Sequence, residues 1–244
     1  MSVDPLLIRA RGLWEMLAAA PVSFAPSGGV TVVASPASGL CPPSWAGMVV
    51  LGDAAIVTAP TEAAARAMRC AVAKVPAESL AEADVVRTIL PVAEVLGPAT
   101  LGYASSDDFR PAAAGAAIEA LTPGHRELHE LVRSAGLKDA DESGMEEITS
   151  PAFIVREGAD VAAAAGYQTW SAATAHISVL TAPHHRGRGL ARQVASAAVA
   201  HALAADLMPQ WRARPVESRR VAAALGFREL GTQLSVRLDQ DRLA

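Results

Sequence analysis

Between residues 174 and 205 the chain passes from an apolar strand (TAHISVLTAP) through HHRGRGLA into a long alanine-rich segment (LARQVASAAVAHALAADL). This joint constrains the fold more than any other stretch. A strand enters a helix through Arg186-Gly187-Arg188-Gly189, and the first turn of any helix leaves backbone N–H groups without intrahelical partners. Glycine removes the Cβ that would hold a ligand away, and the helix dipole adds positive potential at the same point. Such a turn suits an anion, usually a phosphate or diphosphate. Arg186, Arg188 and Arg192 add charge around it. The motif is not a P-loop, because G-x-x-x-x-G-K-[ST] is absent, and it lacks the third glycine and acidic ribose ligand of a dinucleotide fingerprint. An ordinary strand-to-helix turn with solvated arginines is the alternative that local physics leaves open.

Charge distribution agrees with a local anion site. The net charge is −4, yet residues 183–244 hold ten Arg against five Asp and Glu (+5), leaving −9 for residues 1–182. A basic patch on an acidic body differs from the broad basic stripe that nucleic acid requires. Aromatic residues, at 4%, also leave few platforms for stacking bases. With 51% hydrophobic and 19% charged residues, the 244-residue chain can bury a core, mostly of Ala, Val and Leu, in one large domain or two small ones. Cys41 and Cys70 cannot make a zinc site or a disulfide framework, so no metal is expected. No run approaches the roughly 18 uncharged apolar residues of a membrane span. Arg9, Arg11 and Glu15 interrupt what a signal peptide would keep apolar. That segment reads as an amphipathic helix with Leu6, Leu7, Ala10, Trp14, Leu17 and Ala18 on one face, and the cytoplasm is the default compartment.

Elsewhere the pattern predicts a strand at GVTVVASP, then a hairpin from WAGMVVL and AAIVTAP around Gly52-Asp53. Thr61 can cap a following helix, TEAAARAMRCAVAKV. A second helix, LAEADVVRTILP, stops at Pro91, and VLGPATLGYAS reads as a strand broken near Gly97-Pro98. The Ala-, Gly- and Pro-rich stretch after Phe109 suggests a boundary, giving regions 1–112 and 113–244. In the second region HRELHELVRSAGL is a helix and KDADESGMEE an acidic link. AFIVREGADVAAAAGYQTW is a hairpin turning at Glu157–Asp160. The helix after the glycine loop should bury Leu190, Ala191, Val194, Ala195, Ala198, Val199, Ala202 and Leu203. PQWRAR is a strand, ESRRVAAALGF a helix and ELGTQLSVRL a final strand.

The segment Arg186-Gly187-Arg188-Gly189-Leu190-Ala191, preceded by Pro183, resembles the Q/R-x-x-G-x-G/A signature of the GNAT acetyltransferase superfamily. The order helix, strand PQWRAR, helix ending in Leu225-Gly226-Phe227 and final strand is similar to that family too, as is the preceding hairpin. The resemblance covers about residues 120–240. It implies an α+β fold with a mixed, mostly antiparallel sheet flanked by helices. Residues 1–112 show no such match; they are either a separate N-terminal αβ region or a degenerate second copy of the same fold.

What the resemblance implies is direct acetyl transfer from acetyl-CoA, as co-substrate and without a metal, to an amine of a small molecule or peptide. A CoA-binding or regulatory protein of the same fold without turnover is the alternative. A homodimer is compatible with either, whereas nucleic acid and membrane partners are not expected. The coenzyme would lie between the strands TAHISVLTAP and PQWRAR. Its diphosphate would rest on the amides of Arg188, Gly189, Leu190, Ala191 and Arg192, with Arg186 bracing the loop or reaching phosphate and Gly187 in the same turn. Its pantetheine arm would pair with the main chain of Val179, Leu180 and Thr181, where a free backbone donor can polarise the thioester carbonyl. The family's usual tyrosine acid is replaced by Ala222, and the asparagine often found at the start of the same helix is missing. Ser218 could bond the coenzyme or cap its helix. For the general base there are three candidates: His176, which alternation puts beside Ser178 and Leu180; the adjacent carboxylates Glu146 and Glu147; and His184 and His185, which flank the phosphate loop and suit anion binding or solvent better than proton transfer. Gly226 ends its helix in a left-handed turn, and Phe227 plugs the core.

Overall fold

The computed structural model describes residues 4–239 and Arg242, apart from Ser27, Lys74 and Ala114. The chain forms two compact units: Met1–Leu101 together with Glu229–Ala244, and Gly102–Arg228. These bounds differ from those of the expected regions 1–112 and 113–244. The final strand returns to the first unit because it hydrogen-bonds there, as the register below shows.

In the first unit, helix α1 (Pro5–Leu17) starts at Asp4, whose Oδ1 accepts the Leu6 N–H at 3.1 Å. It buries Leu6, Ala10, Leu13 and Trp14. Leu13 replaces Leu7 and Leu17 of the expected face, both of which are half-buried. Arg11 on this helix donates to Leu51 O and Asp53 Oδ1, both at 2.8 Å. Strands β1 (Gly29–Ala34), β2 (Ala46–Leu51) and β3 (Ala54–Ala59) lie where the apolar runs predicted them. The hairpin β2–β3 turns at Gly52-Asp53, and every residue of both strands is buried. β1 runs parallel to β3. After β3 come α2 (Glu62–Val72), capped by Thr61, then α3 (Ala83–Ile89) and β4 (Val92–Tyr103). β10 (Arg228–Leu238) pairs antiparallel with β2, from Gly231↔Leu51 to Val236↔Ala46. The order of strands in this unit is β1-β3-β2-β10-β4.

The second unit has the order β9-β8-β7-β6-β5. Its strands are β5 (Glu119–Leu121), β6 (Ala152–Glu157), β7 (Asp160–Trp170), β8 (Thr174–Thr181) and β9 (Met208–Ala213). β5 through β8 pair antiparallel in succession, and β8 pairs parallel with β9. The hairpin of β6 and β7 closes at Glu157↔Asp160, as the sequence suggested. Helix α4 (Arg126–Ala135) covers one face through Leu128, Leu131 and Val132, packed with Ile154, Val161 and Leu180. Helix α6 (Leu190–Ala204) covers the other through Val194, Ala195, Ala198, Val199 and Ala202. These meet Ala163, Ala165 and Ile177 on the sheet. So many alanines let the helix sit close, and packing rather than bulk supplies the stability. Ala191 and Leu203 are half-buried rather than core.

The acidic stretch after α4 is not a simple link. It forms helix α5 (Leu137–Ser143) and a 3₁₀ turn at Met145–Glu147. Helix α7 (Val216–Ala224) follows β9. It ends at Gly226, whose φ of +89° is left-handed and whose Cβ, were there one, would lie 1.9 Å from Asp108 O. Glycine is required there on both counts. Among the described residues no helix is long and apolar enough to cross a membrane, and no three His, Cys, Asp or Glu side chains gather as a metal set.

Candidate functional site

The glycine joint is built as an open helix start. After β8 the chain makes a 3₁₀ turn at Pro183–His185, then Gly187 (φ +75°) and Gly189 (φ +78°) adopt left-handed conformations. Gly189 is the residue before α6 and provides no side-chain cap; the first turn contains no acidic residue. A Cβ on either glycine would meet no atom within 4 Å. Backbone conformation, not crowding, demands glycine here, and open space lies in front of the helix.

The opening continues into the sheet. β8 and β9 are paired at Thr174↔Met208, Ala175↔Pro209 and His176↔Gln210, and the pairing stops there although both strands run on. The fork opens into a cleft of about 530 Å³. Val179, Leu180 and Thr181 line it, as do Arg186, Gly187, Gly189, Leu190, Ala191 and Arg192. Thr181 Oγ1 is buried and, among the described residues, has no hydrogen-bond partner. Across from the loop stand Trp211, Arg212 and Ser218.

The arginines of the motif do different work. Arg186 bonds Asp139 Oδ2 at 2.5 Å and Thr181 O at 3.3 Å, so it braces the loop against α5. Arg188 is not part of the cleft lining. Its guanidinium turns to Glu157 at 2.6 Å and to His185 Nδ1 at 3.1 Å, and its charge is spent there rather than in the cleft. His185 lines the cleft, while His184 is exposed. Just past the end of β9, Arg214 is paired with Glu142 of α5. Helix α5 is thus tied to both sides of the fork.

At the fork's closed end His176 Nδ1–H donates to Gln210 Oε1 at 2.5 Å, and its ring stacks on Trp170 at 4.0 Å. Burial, with a further push from the Arg212 cation, lowers the His176 pKa to about 3. A group that stays neutral down to that pH is a weak proton acceptor at neutral pH. Gln210 is buried, with Nε2 unpartnered. Arg212 lies over the Trp170 ring, 5.8 Å from its centroid.

The two carboxylates of the 3₁₀ turn part company. Glu146 faces His129 Nδ1 at 3.3 Å, whereas Glu147 lies in the electrostatic field of Arg212. Both are exposed. Ser218 is not the helix cap: Pro215 holds that position, and Ser218 Oγ accepts the Trp211 indole N–H at 2.9 Å. Ala222 is buried in the core beside α6.

Asp139, Glu142, Gln210, Arg212 and Arg214 were absent from the sequence-based set. Alternation along PQWRAR would have placed Gln210, Arg212 and Arg214 on one face; the acidic residues carried no such signal, because α5 buries nothing.

Comparison with known proteins bears on the fold. The family model described as GNAT acetyltransferase matches residues 152–232. The GCN5-related N-acetyltransferase from Kribbella flavida is 13% identical over 78% of this chain and 88% of its own, with a TM-score of 0.51. A GNAT-family acetyltransferase from Novosphingobium aromaticivorans is 23% identical over 59% of this chain and 65% of its own, with a TM-score of 0.46. One from Colwellia psychrerythraea is 16% identical over 61% and 59%, also at 0.46. The chain thus spans less than two thirds of these last two structures. At such identities the shared property is the fold, with its mixed sheet flanked by helices. No curated protein sequence matches the chain.

Proposed function

For a chain whose residues 152–232 match the GNAT acetyltransferase family, we propose transfer of an acetyl group from acetyl-CoA directly to an amine of a small molecule or peptide. One observation carries this reading: β8 and β9 part after His176↔Gln210, and the gap leads to the uncapped start of α6. Backbone amides there suit a diphosphate. The main chain of Val179, Leu180 and Thr181, which lines the cleft beyond the last β8–β9 pair, suits the amide-bearing arm of the coenzyme, since unpaired backbone groups gain from being bonded.

In the reaction the amine nitrogen attacks the thioester carbonyl carbon. The C–N bond forms, the C–S bond breaks, and the nitrogen gives its proton to a base while the coenzyme leaves as thiolate or thiol. We assign the base to Glu147. Glu146 is engaged with His129 and His176 is held neutral, which leaves Glu147, a carboxylate in the field of the Arg212 guanidinium that lines the cleft. His176 then orients the acceptor with Trp170. The missing tyrosine at Ala222 leaves Ser218 as a hydroxyl in the cleft wall, its oxygen already holding Trp211. Thiols, with pKa about 8.5, leave without strong acid help.

Release of free thiol from acetyl-CoA across a panel of amines tests the function. Glu147→Gln should lower kcat by ~10²-fold, a typical loss for a general base, with coenzyme affinity unchanged. Unchanged kcat removes Glu147 from this role. A second reading, coenzyme binding without turnover, is favoured by the buried alanine at position 222; calorimetric binding with no thiol release under any amine would establish it.

A further inference from the structure

Four arginines line the cleft, and they divide sharply. Arg186 is neutralised by Asp139, and Arg212 lies over Trp170 within the fields of Glu142 and Glu147. Arg192 and Arg220 also line it. Both are exposed, and among the described residues neither has an ion pair or a hydrogen bond. Arg192 is the third residue of α6, so it adds a cation to the positive end of a helix whose first turn holds no acid. That placement is unfavourable in the free protein. Arg220 comes from a different element, α7, on the wall that also carries Ser218 and Val221. Two unneutralised guanidinium groups from two helices therefore face one cleft, beyond the amides that a diphosphate would already satisfy.

Guanidinium groups in this number fit a phosphomonoester dianion, which offers several strong acceptor oxygens. We propose that Arg192 and Arg220 together read the 3′-phosphate of the coenzyme's adenosine and so select CoA over dephospho-CoA. This inference rests on the coenzyme reading of the cleft. It makes the two arginines specificity residues at the nucleotide end, remote from the proton transfers at the fork.

Calorimetric titration of the intact protein with CoA, dephospho-CoA and adenosine 3′,5′-bisphosphate tests it. CoA should bind about tenfold or more tightly than dephospho-CoA, as expected for one or two charge-assisted hydrogen bonds. Arg192→Gln and Arg220→Gln should each weaken CoA several-fold and leave dephospho-CoA within twofold. Arg192→Lys, which keeps the charge, should retain most of the preference. The bisphosphate should lose affinity in step with CoA. Equal wild-type affinity for CoA and dephospho-CoA overturns the proposal and leaves the coenzyme site standing. Equal losses for both ligands in the Gln variants assign the arginines to the diphosphate and overturn it too. If none of the three ligands binds, the coenzyme reading falls with it.

Discussion

Each unit contains a parallel strand pair whose inner strand feeds a helix, and the two are finished in opposite ways. In the first, β1 and β3 are zipped along all six residues, from Gly29↔Ala54 to Ala34↔Ala59. β3 then enters α2 through Thr61, whose Oγ1 accepts the Ala64 N–H at 3.1 Å, and Glu62 sits in the first turn. That helix start is closed by its own side chains. In the second, β8 and β9 part after three pairs, and β8 enters α6 through Gly189, with neither cap nor acid. Local architecture is the same; what differs is whether the protein satisfies its own amides. A strand-to-helix joint is therefore not a site by virtue of its shape. On the proposed function it becomes one where the sequence withholds the cap and separates the strands.

The contrast can be broken most severely by closing the open joint. Gly189→Asp places a carboxylate where phosphate oxygens would lie, and Asp tolerates a left-handed φ better than most residues. Acetyl-CoA affinity should fall well over tenfold by calorimetry, with only a modest drop in melting temperature from the left-handed backbone. Unchanged affinity would mean that the coenzyme does not use these amides.

The fork's last rung gives the next effect. His176 is neutral in the folded protein down to about pH 3, whereas an unfolded chain takes up that proton near 6.5. Between those values the unfolded state binds the extra proton, so stability must fall as pH drops, at up to about 1.4 kcal/mol per pH unit. Urea midpoints at pH 7 and pH 5 should converge in His176→Gln relative to the wild type. The pH–rate profile should show no inflection from this imidazole near 6.5. Identical pH dependence of stability in both proteins would contradict the buried, neutral assignment.

At the closed joint, Thr61→Ala should cost about 1 kcal/mol of stability through the lost cap, with coenzyme binding untouched. A fall in affinity there would show that the two units do not divide the labour as described. Smallest of all, Glu142→Gln removes a partly exposed ion pair to Arg214 and should change stability by under about 1 kcal/mol.

Much of the second unit was legible because its signals are local. The hairpin at Glu157–Asp160, the glycine loop and the apolar face of α6 are each written in consecutive residues, and their order matched a known pattern. What was not legible depends on partners far along the chain. Where β8 and β9 stop pairing is decided by the whole sheet, so Gln210 could not be seen at the apex. Helix α5 was read as a link because it buries no residue and shows no apolar period. That β10 belongs with the first unit was not legible, because its partner β2 lies some 180 residues earlier. Arg188 and Ser218 lay where expected in sequence, but their side chains turned to Glu157 and Trp211. The lowered proton affinity of His176 was not legible either, since it is set by surroundings, Arg212 among them, that a lone strand does not show.

The central claim is that α6 begins with amides left for a coenzyme while α2 begins with amides already taken. Backbone amide shifts recorded during titration with CoA test this in one spectrum. The account predicts large, saturable shifts at Gly187–Arg192 and at Val179–Thr181, with Glu62–Ala64 unmoved. Saturable binding that leaves residues 187–192 unperturbed would contradict it.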